Sequence, residues 1–138
     1  MVELRPHSEM NEEDEPTQIF QIWIIPNENS LPPAWGTKPF PKGERSGSFV
    51  TLASGIPGDE DALPIRTDAR MVAATLKTGQ STEYQIAPGR KVYLVPATGK
   101  IVINGIVASA GDGVAIRDEE LLRVSAQEDS EIVLIDAA

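Results

Sequence analysis

The chain has 138 residues, enough for one domain with a hydrophobic core and too few for two ordinary domains. Its net charge of −9 argues against binding to nucleic acid or to an anionic membrane, because both need clustered lysine and arginine. The absence of cysteine excludes disulfides, thiolate catalysis and cysteine-ligated metals. No apolar run approaches the roughly 20 residues that span a bilayer, and the N-terminus lacks the apolar centre of a signal peptide, so we expect a cytoplasmic protein.

The first 47 residues differ in composition from the rest of the chain. Residues 1–17 are polar and acidic, which predicts a solvated arm. The segment Gln18–Pro26, QIFQIWIIP, is nearly all β-branched or aromatic and predicts a strand with at least one buried face. Residues 27–47 are rich in proline and glycine and predict a long linker. Because such long loops are unusual inside a domain, residues 1–47 and 48–138 are predicted to be separate units.

From residue 48 onward, short apolar runs alternate with turn residues. Strands are predicted at 48–54, 63–65, 70–76, 81–86, 121–125 and 131–135, with three or four more between 91 and 116. Within 91–116, Asn104-Gly105 lies between alternating apolar residues, which is a strong hairpin signal and predicts a β-meander here. No long window has a helical period, so the pattern predicts an all-β sandwich or barrel.

His7 and Glu9 are the candidate metal ligands. On an extended strand their side chains project to one face, about 7 Å apart. An imidazole nitrogen with a carboxylate oxygen favours divalent iron, manganese, nickel, copper or zinc over calcium or magnesium. The alternative is that a lone histidine in an acidic arm is a surface residue, and two protein ligands alone make a poor metal site.

The aromatic residues Trp23, Trp35, Tyr84 and Tyr93 allow two interpretations. They could line an apolar ligand pocket, because such pockets are mostly apolar with a few polar groups. In a core of this size, aromatic side chains on strands are more often simple packing. The glycines precede strands rather than helices, so the sequence predicts no phosphate-binding loop.

The stretch HSEMNEEDEPTQIFQIWIIPNE, residues 7–28, together with the later strands, resembles the pirin-like bicupin family, in particular the bacterial pirin-like quercetin 2,3-dioxygenases. Proteins of this family carry two cupin β-barrels in one chain. The resemblance implies that His7 and Glu9 match the last two of four metal ligands, whose first two, a His-x-His pair, have no counterpart here. It also implies that residues 1–47 are the remnant of an N-terminal cupin. Residues 48–138 would then be the C-terminal cupin, a jelly-roll or RmlC-like barrel or sandwich with an extended N-terminal arm and strand.

The general cupin pattern also indicates whether residues 48–138 hold a metal of their own. It places ligands near Gln85 and Ala87, near Arg90 or Lys91, and among residues 118–122, and none of these is histidine. A cationic side chain beside the site would repel a divalent ion. We therefore expect no metal in the C-terminal barrel.

Two functions follow from the resemblance. The first is a metal-free C-terminal cupin module with a structural or interaction role. The alternative is a component of a quercetin 2,3-dioxygenase whose metal site combines His7 and Glu9 with a His-x-His pair from outside this chain. In either case the apolar strand Gln18–Pro26 would need a partner, which predicts a homodimer or higher oligomer in which this strand packs across an interface, with exchange of the strand between copies as one way to do so.

Overall fold

The computed structural model of the protein describes residues 8–138 and is almost entirely β-structure. Its ten strands are β1 Val50–Ser54, β2 Leu63–Pro64, β3 Ala69–Leu76, β4 Ser81–Gln85, β5 Lys91–Thr98, β6 Lys100–Ile103, β7 Ile106–Ser109, β8 Val114–Ile116, β9 Leu121–Ala126 and β10 Ser130–Ala137. The helical structure in the described part of the chain is one 3₁₀ turn at Lys42–Arg45. No helix there is long and apolar enough to cross a membrane. The prediction of an all-β fold is confirmed.

The strands form two sheets that face each other. One has six strands in the order β2-β1-β3-β10-β5-β8, and the other has four in the order β4-β9-β6-β7. All neighbouring strands are antiparallel except β1 and β2. The core lies between the sheets, because every second residue of each long strand points inward. In β10, for example, Ser130, Ile132, Leu134 and Asp136 are buried, whereas the residues between them are half-buried.

The predicted meander is only partly correct. Asn104 and Gly105 have φ of 46° and 85°, and both positive angles are typical of the type I′ turn that joins β6 to β7. However, β5 pairs with β10 and β8, whereas β6 pairs with β7 and β9. At Gly99 the chain therefore passes from one sheet to the other instead of turning back on itself. The alternation of apolar residues locates the strands but does not specify their partners.

The apolar segment at residues 18–26 also differs from its prediction. Within the described residues it forms no strand, and Ile19, Trp23 and Ile25 are exposed by 59%, 83% and 87%. The predicted strand is not formed in this part of the chain, and residues 8–138 of one chain provide no surface that covers its exposed apolar side chains. Beyond it, the Asn27 amide donates to the carbonyl oxygen of Arg66 at 3.0 Å, which anchors the base of the segment to the barrel.

Candidate functional site

A group of ionic and polar side chains around the buried Asp136 lies at one end of the barrel. Asp136 is 2% exposed and occupies an inward position on β10. Its carboxylate accepts a hydrogen bond of 2.6 Å from the Tyr84 hydroxyl on β4 and one of 2.5 Å from Nε of Arg90. Because Tyr84 and Asp136 belong to different sheets, their hydrogen bond joins the two layers of the barrel.

Further polar contacts extend the group on both sides. Nη1 of Arg90 pairs with Asp68 at 2.7 Å, just before β3 begins. On β3, Arg70 lies opposite Asp136 in the strand register and pairs with Asp59 at 2.8 Å. Asp59 in turn accepts a hydrogen bond from the Ser54 hydroxyl at 2.6 Å. We call these seven residues the ionic cluster, namely Ser54, Asp59, Asp68, Arg70, Tyr84, Arg90 and Asp136.

The surroundings of the cluster shift several pKa values in directions that stabilise its present charges. Burial raises the pKa of Tyr84, as does the hydrogen bond to Asp136, although the nearby positive charge of Arg70 opposes this shift. Burial acts to lower the pKa of Arg90, but the hydrogen bonds to Asp136 and Asp68 outweigh it and raise the pKa overall. The hydrogen bond from Ser54, together with Arg70, lowers the pKa of Asp59. The phenol of Tyr84 therefore stays neutral, whereas Arg90 and Asp59 stay charged.

The cluster occupies the part of the barrel where the cupin pattern would place metal ligands, and its chemistry does not fit a metal ion. Gln85, Ala87 and Lys91 are exposed, whereas Arg90 points its guanidinium at Asp136. Within residues 8–138, no three histidine, cysteine, aspartate or glutamate side chains lie together in a way that could hold a metal. A guanidinium that already neutralises the buried carboxylate would repel a divalent cation.

Of the predicted ligands His7 and Glu9, Glu9 lies within the described residues and is not part of the ionic cluster. His7 lies outside the described residues, so the structure does not test the pair. Glu9 is exposed on the N-terminal arm.

The aromatic residues do not gather into one pocket either. Tyr84 packs in the core, with its ring edge-on to Phe49 at a centroid distance of 5.6 Å. Trp23, Trp35 and Tyr93 are exposed by 83%, 90% and 52%. Tyr84 is therefore a packed core residue, as the second interpretation expected. The other three aromatic side chains do not form an apolar ligand pocket together with it.

The sequence interpretation missed Asp136, although the sequence of β10 indicates that this aspartate points into the core. In SEIVLIDA, the residues at 130, 132, 134 and 136 share one face, and an aspartate there continues a face that carries Ile132 and Leu134. A buried carboxylate needs a counter-charge, so this position predicts a basic partner across the core. Which arginine provides it depends on the turn between β4 and β5, which the sequence pattern does not resolve.

The two facing sheets and the filled barrel define a cupin-type domain. A profile of the quercetinase C-terminal cupin domain family matches residues 51–137, and the chain belongs to this family. A Pseudomonas aeruginosa protein whose name marks it as a candidate quercetin 2,3-dioxygenase is 59% identical over 132 residues, which cover 96% of this chain and 57% of the relative. The quercetin 2,3-dioxygenase of Escherichia coli is 33% identical over 131 residues, which cover 94% of this chain and 55% of that protein.

The comparison of structures gives the same result. A crystal structure of the bacterial pirin YhhW of Escherichia coli in complex with nickel(II) aligns with a TM-score of 0.75 and 30% identity. The alignment covers 83% of this chain and 48% of that one. The chain thus spans about half the length of the relatives that it matches, as a pirin-like C-terminal cupin domain.

Proposed function

We propose that the barrel formed by residues 48–138 is a metal-free cupin module whose role is structural or is exercised through interaction with another polypeptide. The ionic cluster is the observation that carries this proposal. In it the buried carboxylate of Asp136 already accepts hydrogen bonds from Tyr84 and Arg90, so that it is not available as a ligand for a metal. The cluster therefore serves to hold the sheets together.

A second candidate function rests on the N-terminal arm. Relatives of this chain are named as quercetin 2,3-dioxygenases, and one solved relative is a nickel(II) complex. In this candidate, His7 and Glu9 supply two of four metal ligands and a His-x-His pair comes from outside this chain. A bound transition metal would supply the Lewis acidity for oxidative cleavage of a flavonol. The barrel would then only position the arm.

Metal analysis of the purified chain distinguishes the two candidates. The chain is incubated with nickel(II), dialysed, and compared with a His7→Ala variant and an Asp136→Asn variant by elemental analysis. We expect less than about 0.1 metal per chain in all three, because two ligands on a solvated arm bind weakly. Stoichiometric metal that is lost in Asp136→Asn would overturn the metal-free barrel. Stoichiometric metal that is lost only in His7→Ala would instead favour the arm as a metal site.

The second candidate has its own test. The chain is mixed with the N-terminal half of the Pseudomonas aeruginosa relative, and consumption of quercetin is followed by its absorbance. If the second candidate holds, metal binding and turnover appear only in the mixture and disappear with His7→Ala. A Glu83→Gln variant on the barrel surface is the matched control, because Glu83 is exposed and pairs only with Arg123 at 3.3 Å. Turnover that survives His7→Ala would exclude the arm as a ligand source.

A further inference from the structure

The outer face of the six-stranded sheet is unusually apolar for a surface. The strand register places Met71, Ile135 and Tyr93 in one row across β3, β10 and β5, and Ala73, Val133 and Val95 in the next row. Of these side chains Tyr93 is exposed and Ala73 is fully buried, whereas the other four are half-buried. Adjacent apolar rows on an outward face indicate a surface that is covered in the functional assembly.

Basic side chains border this face. A hollow of about 650 Å³ is lined by the apolar residues Tyr93, Ala115 and Ile135 of this face and also by Lys91 and Arg117. Both basic residues are exposed, and neither forms an ion pair within the described part of the chain. The face thus offers an apolar centre with two free positive charges, in a chain whose net charge is −9.

The acidic residues of the N-terminal arm and the apolar segment that follows them have the complementary pattern, and we call residues 8–26 together the arm from here on. Its exposed apolar side chains, which we call the apolar ridge, are Ile19, Phe20, Ile22, Trp23 and Ile25. Just before them come Glu12, Glu13, Asp14 and Glu15. An apolar ridge preceded by acidic residues matches an apolar hollow with two basic residues in both hydrophobicity and charge.

We propose that two copies of this chain associate by reciprocal exchange, in which the arm of each copy covers the outer face of the other copy's six-stranded sheet. The occupant is a second copy because each chain's own arm leaves its barrel at Asn27 with its apolar side chains uncovered. A two-fold arrangement then covers both apolar surfaces of both chains at once. The outer face of the four-stranded sheet is a poorer receiver, because it carries an internally paired Glu83 and Arg123.

This inference deepens the interaction role proposed above and rests on it, but the two fail in different measurements. If the barrel is not metal-free, the purified chain contains stoichiometric metal. If the two copies do not exchange their arms, the molecular mass in solution is that of a monomer.

Sedimentation velocity of the whole chain, from about 1 to 100 µM, measures the association. We expect a dimer. Replacing both Trp23 and Ile25 by serine is expected to raise the dimer dissociation constant at least about tenfold, because large apolar side chains at the centre of an interface dominate its affinity. Trp35→Ser is the matched control, since Trp35 is 90% exposed and lies outside the arm's apolar ridge, and this variant should leave the dissociation constant unchanged.

A charge exchange tests the pairing of the two surfaces. Lys91→Glu with Arg117→Glu should weaken the dimer, as should Glu12→Lys with Glu13→Lys, and combining all four changes should restore much of the affinity. Lys100→Glu with Arg123→Glu changes the net charge equally on the other sheet and serves as the control. Lys100 is half-buried and the other positions are exposed, so circular dichroism verifies that each variant is folded.

The outcomes decide the proposal in either direction. A chain that stays monomeric at 100 µM overturns it, as does a dimer that neither the arm variant nor the face variant weakens. Mixing the arm variant with the face variant gives a further check, because each mixed dimer keeps one intact arm on one intact face. Recovery of a dimer in the mixture supports exchange, whereas two non-associating species contradict it.

Discussion

Replacing Asp136 by asparagine should destabilise the barrel by about 3 kcal/mol. Asparagine keeps the size of the side chain and can still accept one hydrogen bond, but its amide group faces a second donor, so one of the two bonds to Tyr84 and Arg90 is lost. Removing one partner of a buried ion pair costs about 3–5 kcal/mol. The lower end applies because Arg90 keeps its contact with Asp68, whose side chain is 54% exposed. The corresponding fall in Tm is about 10 °C.

Urea unfolding followed by circular dichroism measures this change in the free energy of unfolding. Glu83→Gln is the matched control, because it lies next to Tyr84 on β4 but is 59% exposed, and it should change the free energy of unfolding by less than about 0.5 kcal/mol. A loss below about 1 kcal/mol for Asp136→Asn would refute the reasoning, since it would mean that the cluster does not join the sheets.

Three further predictions concern single positions. Ser54→Ala should raise the pKa of Asp59 toward 3.8, measured by carboxyl NMR titration, because it removes the main hydrogen bond that lowers it. The pKa of Asp59 is lower in the folded than in the unfolded protein, so the Asp59 carboxylate stabilises the fold above pH 3.8, and this stabilisation is lost as the pH falls through the folded pKa. In acid titration, the Ser54→Ala variant should therefore unfold at a higher pH than the unchanged protein. Gly99→Ala should lower the free energy of unfolding in urea by more than about 2 kcal/mol, because φ is +80° and a Cβ would clash with the β9–β10 turn. Gly111→Ala is the control: φ is +87° but the space around it is open, so the free energy of unfolding should fall by about 1 kcal/mol. In a Tyr93→Phe variant, whose one tyrosine is Tyr84, absorbance at 295 nm should show that Tyr84 stays neutral above pH 10 in the folded protein, and an ordinary titration there would contradict its burial.

Much of the candidate site escaped the sequence interpretation because its residues are distant in sequence. Tyr84 and Asp136 are 52 positions apart, and Arg90 and Asp136 are 46 apart, so only the packing of two sheets brings them together. Each residue has a local signal, such as an aspartate on the inward face of β10, but the partners depend on strand order. The metal ligands His7 and Glu9 stay a prediction, because His7 lies outside the described residues.

The local features of this protein were readable from the sequence itself. Alternation of apolar residues at period two located the strands, and Asn104-Gly105 located a hairpin, because both depend only on neighbouring residues. The stretch at residues 7–28 also identified the pirin-like family. Only the tertiary structure decided that β5 and β6 belong to different sheets, that Arg90 neutralises Asp136, and that the arm at residues 18–26 is uncovered. These three facts depend on which surfaces meet, and a period in the sequence shows that a face is apolar without showing what covers it.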